Sequence, residues 1–234
     1  MSSLAVEPQI RAAAVRPIFT DRSRWVAAAV LVTGPLLQAI EFLLENPPDD
    51  TATRVASWAA DPDRIGLSMA SGLLAVPFLL GGIAVLVALT RGRSPRLAWI
   101  AGTLMTFAMV GLGAVHGFEM AAYGLTLSGD ITAAKEILDG NQLGLPFVVL
   151  VIMFFGGAVL GTLTLTAAVW RSPLVPHIAL VFLLAFAVLD FALGQGVVSH
   201  LVNLAGFAII AAAVVAGYSR QPREAAHAGT RWRW

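Results

Sequence analysis

Six long stretches of apolar residues constrain this chain more than any other feature of its sequence. They lie at about 25–44, 67–90, 97–123, 145–170, 175–193 and 197–218. A helix that crosses a bilayer needs about 20 consecutive, mostly apolar residues. Because lipid offers backbone amides no hydrogen-bond partners, each stretch is expected to be α-helical. The sequence therefore predicts an all-α, six-helix transmembrane bundle over residues 25–218, flanked by a segment at 1–24 and a tail at 219–234.

The composition excludes several other classes of protein. Hydrophobic residues make up 58% of the chain and charged residues only 12%, whereas soluble domains average about 45–50% and about 25%. The chain has no cysteine, which removes disulfides, thiolate metal sites and cysteine nucleophiles. A formal net charge of +1 gives no reason to expect a nucleic-acid partner. The expected partner is the lipid bilayer.

Basic residues predict the orientation of the chain. Twelve of its fifteen lysines and arginines flank the ends of the spans that would share one side with both termini. The other three are Arg54, Arg64 and Lys135. Tryptophan side chains favour membrane interfaces. Three of them, Trp25, Trp99 and Trp170, fall at span ends on the same side as these twelve basic residues. The positive-inside rule then places both termini in the cytoplasm, with the spans in the plasma membrane.

The two longer loops would then be external, and each has the pattern of a short amphipathic helix. Val55 and Trp58 give the first loop an apolar face, and the aspartates before it can cap a helix. In the second loop, Ser128 or Asp130 can cap a helix over 131–138. Such helices are expected to lie on the outer surface, with a lid over a binding site as the alternative.

Polar residues inside the spans indicate a site. An ionisable group near the bilayer centre costs roughly 2.5–3.5 kcal/mol on insertion scales, so each one calls for an explanation. The candidates are Glu41, His116, Glu119, Asp190 and His200, with Gln38, Tyr123 and Asn203 as uncharged companions. On the spans that run from the cytoplasm outward, these residues lie near the C-terminal end of the span. On the sixth span, which runs inward, they lie near its N-terminal end. We therefore expect them to share one layer, and a cavity, in the outer half of the membrane.

The alternative is that these residues lie near helix ends, where polar side chains reach water easily. That interpretation is the one preferred for Glu45. Small residues spaced four apart, such as Gly113 with Gly117 and Gly157 with Gly161, are expected to allow close helix packing. The oligomeric state is left open, with a homo-oligomer as one possibility.

Three functions are compatible with such a site. The first is binding or transport of a small molecule or cation, in which carboxylates and imidazoles exchange protons. The second is an enzyme acting on a lipid or isoprenoid, with Glu119 or Asp190 as the acid and His116 or His200 as the base. The third is a metal or haem site, with His116, Glu119 and His200 as candidate ligands. The sequence lacks the phosphate-binding loop, the nucleophile elbow and the H-E-x-x-H motif, so enzyme activity is left open.

Short motifs also carry a resemblance to a group of proteins. They are PDR at 62–64, VHGFE at 115–119 with AAYG at 121–124, and LDF at 189–191. With these motifs the chain resembles polytopic membrane proteins of actinobacteria, a group without an established activity. The resemblance implies the six-span topology and supplies no mechanism.

Overall fold

The computed structural model describes residues 19–45, 47–48, 50–140, 144–172, 175–194 and 196–228. Within those ranges every regular element is an α-helix, which confirms the all-α prediction for the described chain. The helices are α1 (Asp21–Leu44), α2 (Thr51–Ala60), α3 (Pro62–Thr90), α4 (Pro95–Ser128), α5 (Ile131–Leu138), α6 (Gly144–Val169), α7 (His177–Phe191) and α8 (Gly196–Ala228). Most of the predicted N-terminal segment and the last six residues of the predicted tail lie outside the described residues.

Five helices in the described ranges are long and apolar enough to cross a membrane. They are α1, α3, α4, α6 and the Gly196–Ala216 part of α8. The stretch predicted at 175–193 is helical as α7, but α7 has only 15 residues. At about 1.5 Å per residue it is about 22 Å long, which is less than the hydrocarbon core of about 30 Å. The fold is therefore compatible with a multi-pass membrane protein.

Four helices run several residues beyond their predicted bounds, the first being α1, which begins at Asp21 rather than at about 25. Helix α3 begins at Pro62 rather than at 67, because Asp61 caps it through the Arg64 amide and proline suits the first helical position. Helix α4 continues past 123 to Ser128 and ends where Gly129 adopts a φ of 87°. Helix α8 runs to Ala228 rather than to 218. Hydropathy identifies only the apolar part of such a helix, so the less apolar turns that extend it are not predicted.

The two short helices predicted in the loops are present. Asp50 accepts a hydrogen bond of 2.7 Å from the Thr53 amide at the start of α2. Asp130, rather than Ser128, caps α5 by accepting one of 3.1 Å from the Ala133 amide. Both helices pack against α4. We call α2, α5 and the neighbouring ends of α3 and α4 the cap, whose buried residues are Val55, Trp58, Ile65, Met69, Ala122 and Ala134.

The long helices form a bundle in which α1 packs against α3 and α8, α4 packs against α6, and α7 packs against α8. Gly157 lets α6 approach α4 closely, since a Cβ there would lie 2.6 Å from the Leu104 carbonyl oxygen. The small residues of α6 thus serve packing, as predicted. Gly117 on α4 faces open space within the described chain.

The bundle is filled with hydrocarbon side chains at the end opposite the cap. We call this cluster the base core. Its buried residues are Ala27, Leu31, Leu86, Leu89, Ala101, Leu165, Val169, Val175, Ala179, Leu180, Leu183, Ile210, Ala211 and Val214. Between the base core and the cap the helices separate around a cavity.

Candidate functional site

The cavity has a volume of about 350 Å³ and lies among α1, α3, α4, α6, α7 and α8, and Arg54 of α2 also lines it. Its wall contains most of the polar residues that the sequence placed inside the spans. The charged or amide side chains in the wall are Gln38, Glu41, Glu45, Arg54, His116, Glu119, Asp190, His200 and Asn203. The rest is mainly aromatic, Leu, Ile and Met side chains, with Thr162 and Thr166 deeper along α6. The predicted convergence of polar groups from separate helices is therefore observed.

Three of these side chains, one from α1 and two from α4, meet in the cavity wall. Nδ1 of His116 lies 3.5 Å from Oε1 of Glu41 and 3.3 Å from Oε2 of Glu119. His116 and Glu119 share a face of α4 because they are three residues apart, and Glu41 comes from the last turns of α1. The three side chains are 7%, 18% and 13% exposed, in the order His116, Glu119, Glu41. We call them the carboxylate–imidazole cluster.

The cap contributes the cation beside this cluster. Nη2 of Arg54 on α2 donates to Oε1 of Glu119 at 2.8 Å, and its Nε donates to Oε1 of Glu45 at 2.9 Å. Burial lowers the pKa of the Arg54 guanidinium, but the Glu119 and Glu45 carboxylates raise it by more, so it lies above its ordinary value. Arg54 therefore stays charged at any physiological pH.

Glu45 corrects a sequence prediction. Its side chain was expected to reach water or cap a loop, but the residue is 8% exposed. Oε1 of Glu45 accepts hydrogen bonds from Arg54 and from the Trp58 indole, the latter at 2.6 Å. The prediction is wrong because α2 folds back over the end of α1 and covers the carboxylate.

Helix α3 fixes the position of Glu41. Ser68 donates a hydrogen bond of 2.9 Å to the Glu41 carbonyl oxygen, and Gly72 leaves room for the Glu41 carboxylate. A Cβ at Gly72 would collide with that carboxylate. Oε2 of Glu41 and Nε2 of His116 are buried and find no hydrogen-bond partner among the described residues. The cluster is thus held in place while its hydrogen bonding is incomplete.

A second polar group lies on α7 and α8. The Ser199 hydroxyl donates to Oδ1 of Asp190 at 2.6 Å. Nδ1 of His200 lies 2.7 Å from the Gly196 carbonyl oxygen and 3.6 Å from Oδ1 of Asp190. The His200 ring stacks on Phe42 with centroids 4.0 Å apart. His200 is therefore oriented by its own helix and by an aromatic side chain of α1.

The remaining predicted residues divide between the cavity and the cap. Gln38 and Asn203 line the cavity and are 8% and 4% exposed. Tyr123 was expected to join the site, but its hydroxyl donates to the Pro62 carbonyl oxygen at 2.6 Å and its ring meets Trp58 in the cap. The structure thus assigns Tyr123 a contact between α4 and α3.

Arg54, Trp58 and Ser199 are site residues that the sequence did not single out. Arg54 and Trp58 are four residues apart and share a face of α2, so the one signal available was a basic residue on the apolar face of a short loop helix. Ser199 had no signal beyond its place beside His200.

No family model, no curated protein and no solved structure matches this chain. The resemblance to actinobacterial membrane proteins stays a prediction, as do transport, lipid chemistry and a haem. The geometry of the cavity is what bears on function.

Proposed function

We propose that this chain is a six-span plasma-membrane protein with both termini in the cytoplasm, and that its cavity opens outward and binds a small amphiphilic molecule. The asymmetry of basic residues supports the orientation. So does the exposure of Trp25, Trp99 and Trp170, which are 59%, 68% and 55% exposed. All three lie at the end of the bundle opposite the cap, where indoles would meet the inner membrane interface.

Helix α7 would be the fifth of the six spans. A span shorter than the hydrocarbon core is accommodated by local thinning of the bilayer or by its flanking residues. Helix α7 packs against α8 and α6, and Leu180 and Leu183 belong to the base core. Packing on two sides supports a membrane position for this short helix.

The main support for an amphiphilic ligand is that one cavity has a polar end and an apolar end. The polar residues come from the end of α1, from Arg54 of α2, from the later turns of α4, from the end of α7 and from the early turns of α8. Deeper in, the wall is formed by residues such as Met105, Leu165, Leu183 and Phe207. Ligand sites are largely apolar with a few converging polar groups that fix orientation. A molecule with a polar head and a hydrocarbon body matches this division.

The charge of the wall indicates the character of the head group. Four carboxylates line the cavity, from Glu41, Glu45, Glu119 and Asp190. Against them stand the Arg54 guanidinium and two imidazoles. With neutral imidazoles and all four carboxylates ionised, the wall would carry three excess negative charges, which are costly in a poorly solvated site. A positively charged head lowers that cost, and aromatic faces such as that of Phe42 also attract cations. We therefore favour an amphiphilic amine.

The base core favours binding over conduction. Leu31, Leu86 and Ile210 are fully buried in it, and side chains of α1, α3, α4, α6, α7 and α8 fill the bundle below the cavity. A path through the protein would require this packing to open. The step we assign is thus binding from the outer side.

The test compares three amphiphiles with the same chain length. Dodecylamine, dodecanol and dodecanoate are titrated into the purified chain in nanodiscs of zwitterionic lipid, and binding is measured by calorimetry. We expect dodecylamine to bind about tenfold more tightly than dodecanoate, a difference of about 1.4 kcal/mol. Equal affinity for all three would contradict the charge argument.

A pair of variants on α6 locates the binding. Ala158 lines the deeper cavity, whereas Leu160 is exposed on the outside of the bundle. Ala158→Phe fills the apolar end and should abolish dodecylamine binding, while Leu160→Phe should leave it unchanged. Thermal unfolding of both variants checks that they are folded. Equal binding by wild type and by a folded Ala158→Phe variant would place the amphiphile elsewhere.

A further inference from the structure

We infer that Glu41, His116 and Glu119 form a binding site for one divalent transition-metal ion. Each residue offers one ligand atom, and these atoms all lie within 4.8 Å of one another. The inference shares the cavity with the proposed function but does not depend on the amphiphile.

The two distances from His116 to the carboxylates suit a tetrahedral ion. Metal–ligand bonds of about 2.0–2.2 Å place the ligand atoms of a tetrahedral site about 3.3–3.6 Å apart. His116 Nδ1 lies 3.5 Å and 3.3 Å from one oxygen each of Glu41 and Glu119. A single proton on Nδ1 can form a hydrogen bond with one of these carboxylates at a time, whereas a metal ion between them can be coordinated by both.

The surroundings orient the ligands in the way that outer-shell groups do in metal sites. Arg54 engages Oε1 of Glu119, and so leaves Oε2 as the oxygen directed at His116. The room left by Gly72 positions the carboxylate of Glu41. Metal sites in helical bundles also combine a Glu and a His three residues apart on one helix with a Glu from another, although in those bundles the Glu precedes the His and here His116 precedes Glu119.

The charge at the α1–α4–α2 junction also calls for a cation. Three carboxylates, of Glu41, Glu45 and Glu119, face one guanidinium, of Arg54. With His116 neutral and all three carboxylates ionised, the group would carry two excess negative charges. These side chains are at most 19% exposed, so water screens them poorly. One divalent ion would neutralise the group, and Asp190 would still favour an amine head in the same cavity.

Two buried atoms independently indicate a missing ligand. The His116 side chain is 7% exposed, and its Nε2 has no hydrogen-bond partner among the described residues, like Oε2 of Glu41. Buried polar atoms in folded proteins are almost always satisfied. An ion between these side chains would give Oε2 of Glu41 a partner, whereas Nε2 lies on the far edge of the His116 ring and would need a second bound group.

The donor set decides the class of metal. One imidazole with two carboxylates suits Zn²⁺, Fe²⁺ or Mn²⁺, and the absence of cysteine from the sequence removes the thiolate ligands that favour softer ions. Three protein ligands leave a fourth position open, as in catalytic zinc sites. Since all three ligands line the cavity, the open position would be available to a molecule bound there.

The experiment measures metal binding by the full chain in nanodiscs after treatment with a chelator. ZnCl₂ is titrated by calorimetry, bound zinc is counted by elemental analysis, and CoCl₂ is used to record the visible absorption of tetrahedral cobalt. We expect one ion per chain and a tetrahedral cobalt spectrum. Failure of the wild-type chain to bind either ion overturns the inference and leaves the amphiphile proposal standing.

Variants assign the ion to this cluster. Glu119→Gln removes a ligand and should abolish the cobalt spectrum, whereas Glu136→Gln makes the same change on an exposed residue of α5 and should preserve it. Gly72→Ala keeps every ligand but displaces the Glu41 carboxylate, and should weaken zinc binding by about 10- to 100-fold. One zinc retained at wild-type affinity in Glu119→Gln and Gly72→Ala would contradict the assignment. Metal binding that persists in Ala158→Phe would separate this site from the amphiphile site.

Discussion

The two ends of the helix bundle differ in what they are made of. In the base core, Leu31, Leu86, Ala101 and Ile210 are fully buried and offer only hydrocarbon to their neighbours. Around the cavity, α1, α4, α7 and α8 present carboxylates and imidazoles, and α2 adds a guanidinium. One end is thus closely packed, while the other encloses space lined by groups that are costly to bury.

This difference separates stability from function. Packing of side chains drives the association of helices in membranes, where lipid solvates leucine as well as a protein core does. Excess buried charge opposes folding unless it is paired. A chain selected for stability alone would fill the cavity with leucine, so the polar wall indicates a ligand. Breaking each end by mutation should therefore change stability in opposite directions.

The largest effect is expected in the base core. Leu86→Ala leaves a void among fully packed neighbours and should destabilise the chain by about 2–3 kcal/mol, near the lower end of the range for soluble cores. Reversible unfolding in mixed micelles measures it. Leu160→Ala on the exposed face is the matched control and should change stability little. A neutral Leu86→Ala would show that the base core is not the stabilising end.

At the cavity, a mutation is expected to increase the stability of the chain rather than decrease it. Glu41→Gln removes one poorly compensated carboxylate while keeping its shape, so we expect the metal-free, ligand-free chain to gain about 1 kcal/mol of stability. The same unfolding measurement with Glu136→Gln as control tests this. A loss of stability comparable to that of Leu86→Ala would mean that Glu41 is structural, and the contrast between the two ends would fail.

The smallest effect is expected for a mutation in the cap that tests whether the binding site ends at the cavity wall. Tyr123→Phe removes the hydrogen bond to the Pro62 carbonyl oxygen and should cost about 1 kcal/mol. Because Tyr123 does not line the cavity, the variant should bind dodecylamine and zinc with wild-type affinity. Weaker binding of either ligand by a folded Tyr123→Phe variant would extend the site into the cap.

The long helices were predictable because apolar length alone specifies a membrane-spanning helix. The pairing of His116 with Glu119 was also predictable, since helical spacing fixes it. Glu41, Asp190 and His200 could be placed in one layer from their depth along helices of known direction. None of these arguments needs the tertiary structure.

The sequence predictions fail where one helix covers the end of another. Tyr123 continues the face of His116 and Glu119, but it lies one turn further along α4, where that helix has left the cavity and meets α3. Glu45 was judged from the end of α1 alone, and α2 then folded over it. Arg54 enters the site by the same fold-back. Such contacts depend on the path of a loop helix, which helical periodicity does not determine.

The most direct test of the central claim is thiol labelling of intact cells from outside. The chain has no cysteine, so Gln38→Cys on α1 and Asn203→Cys on α8 each introduce a single thiol in the cavity wall without changing its charge. A membrane-impermeant reagent should label both from the outer side, and dodecylamine should protect both. Leu31→Cys in the base core should stay unlabelled. Labelling only from the cytoplasmic side, or labelling that dodecylamine leaves unchanged at both positions, would contradict an outward-facing binding cavity.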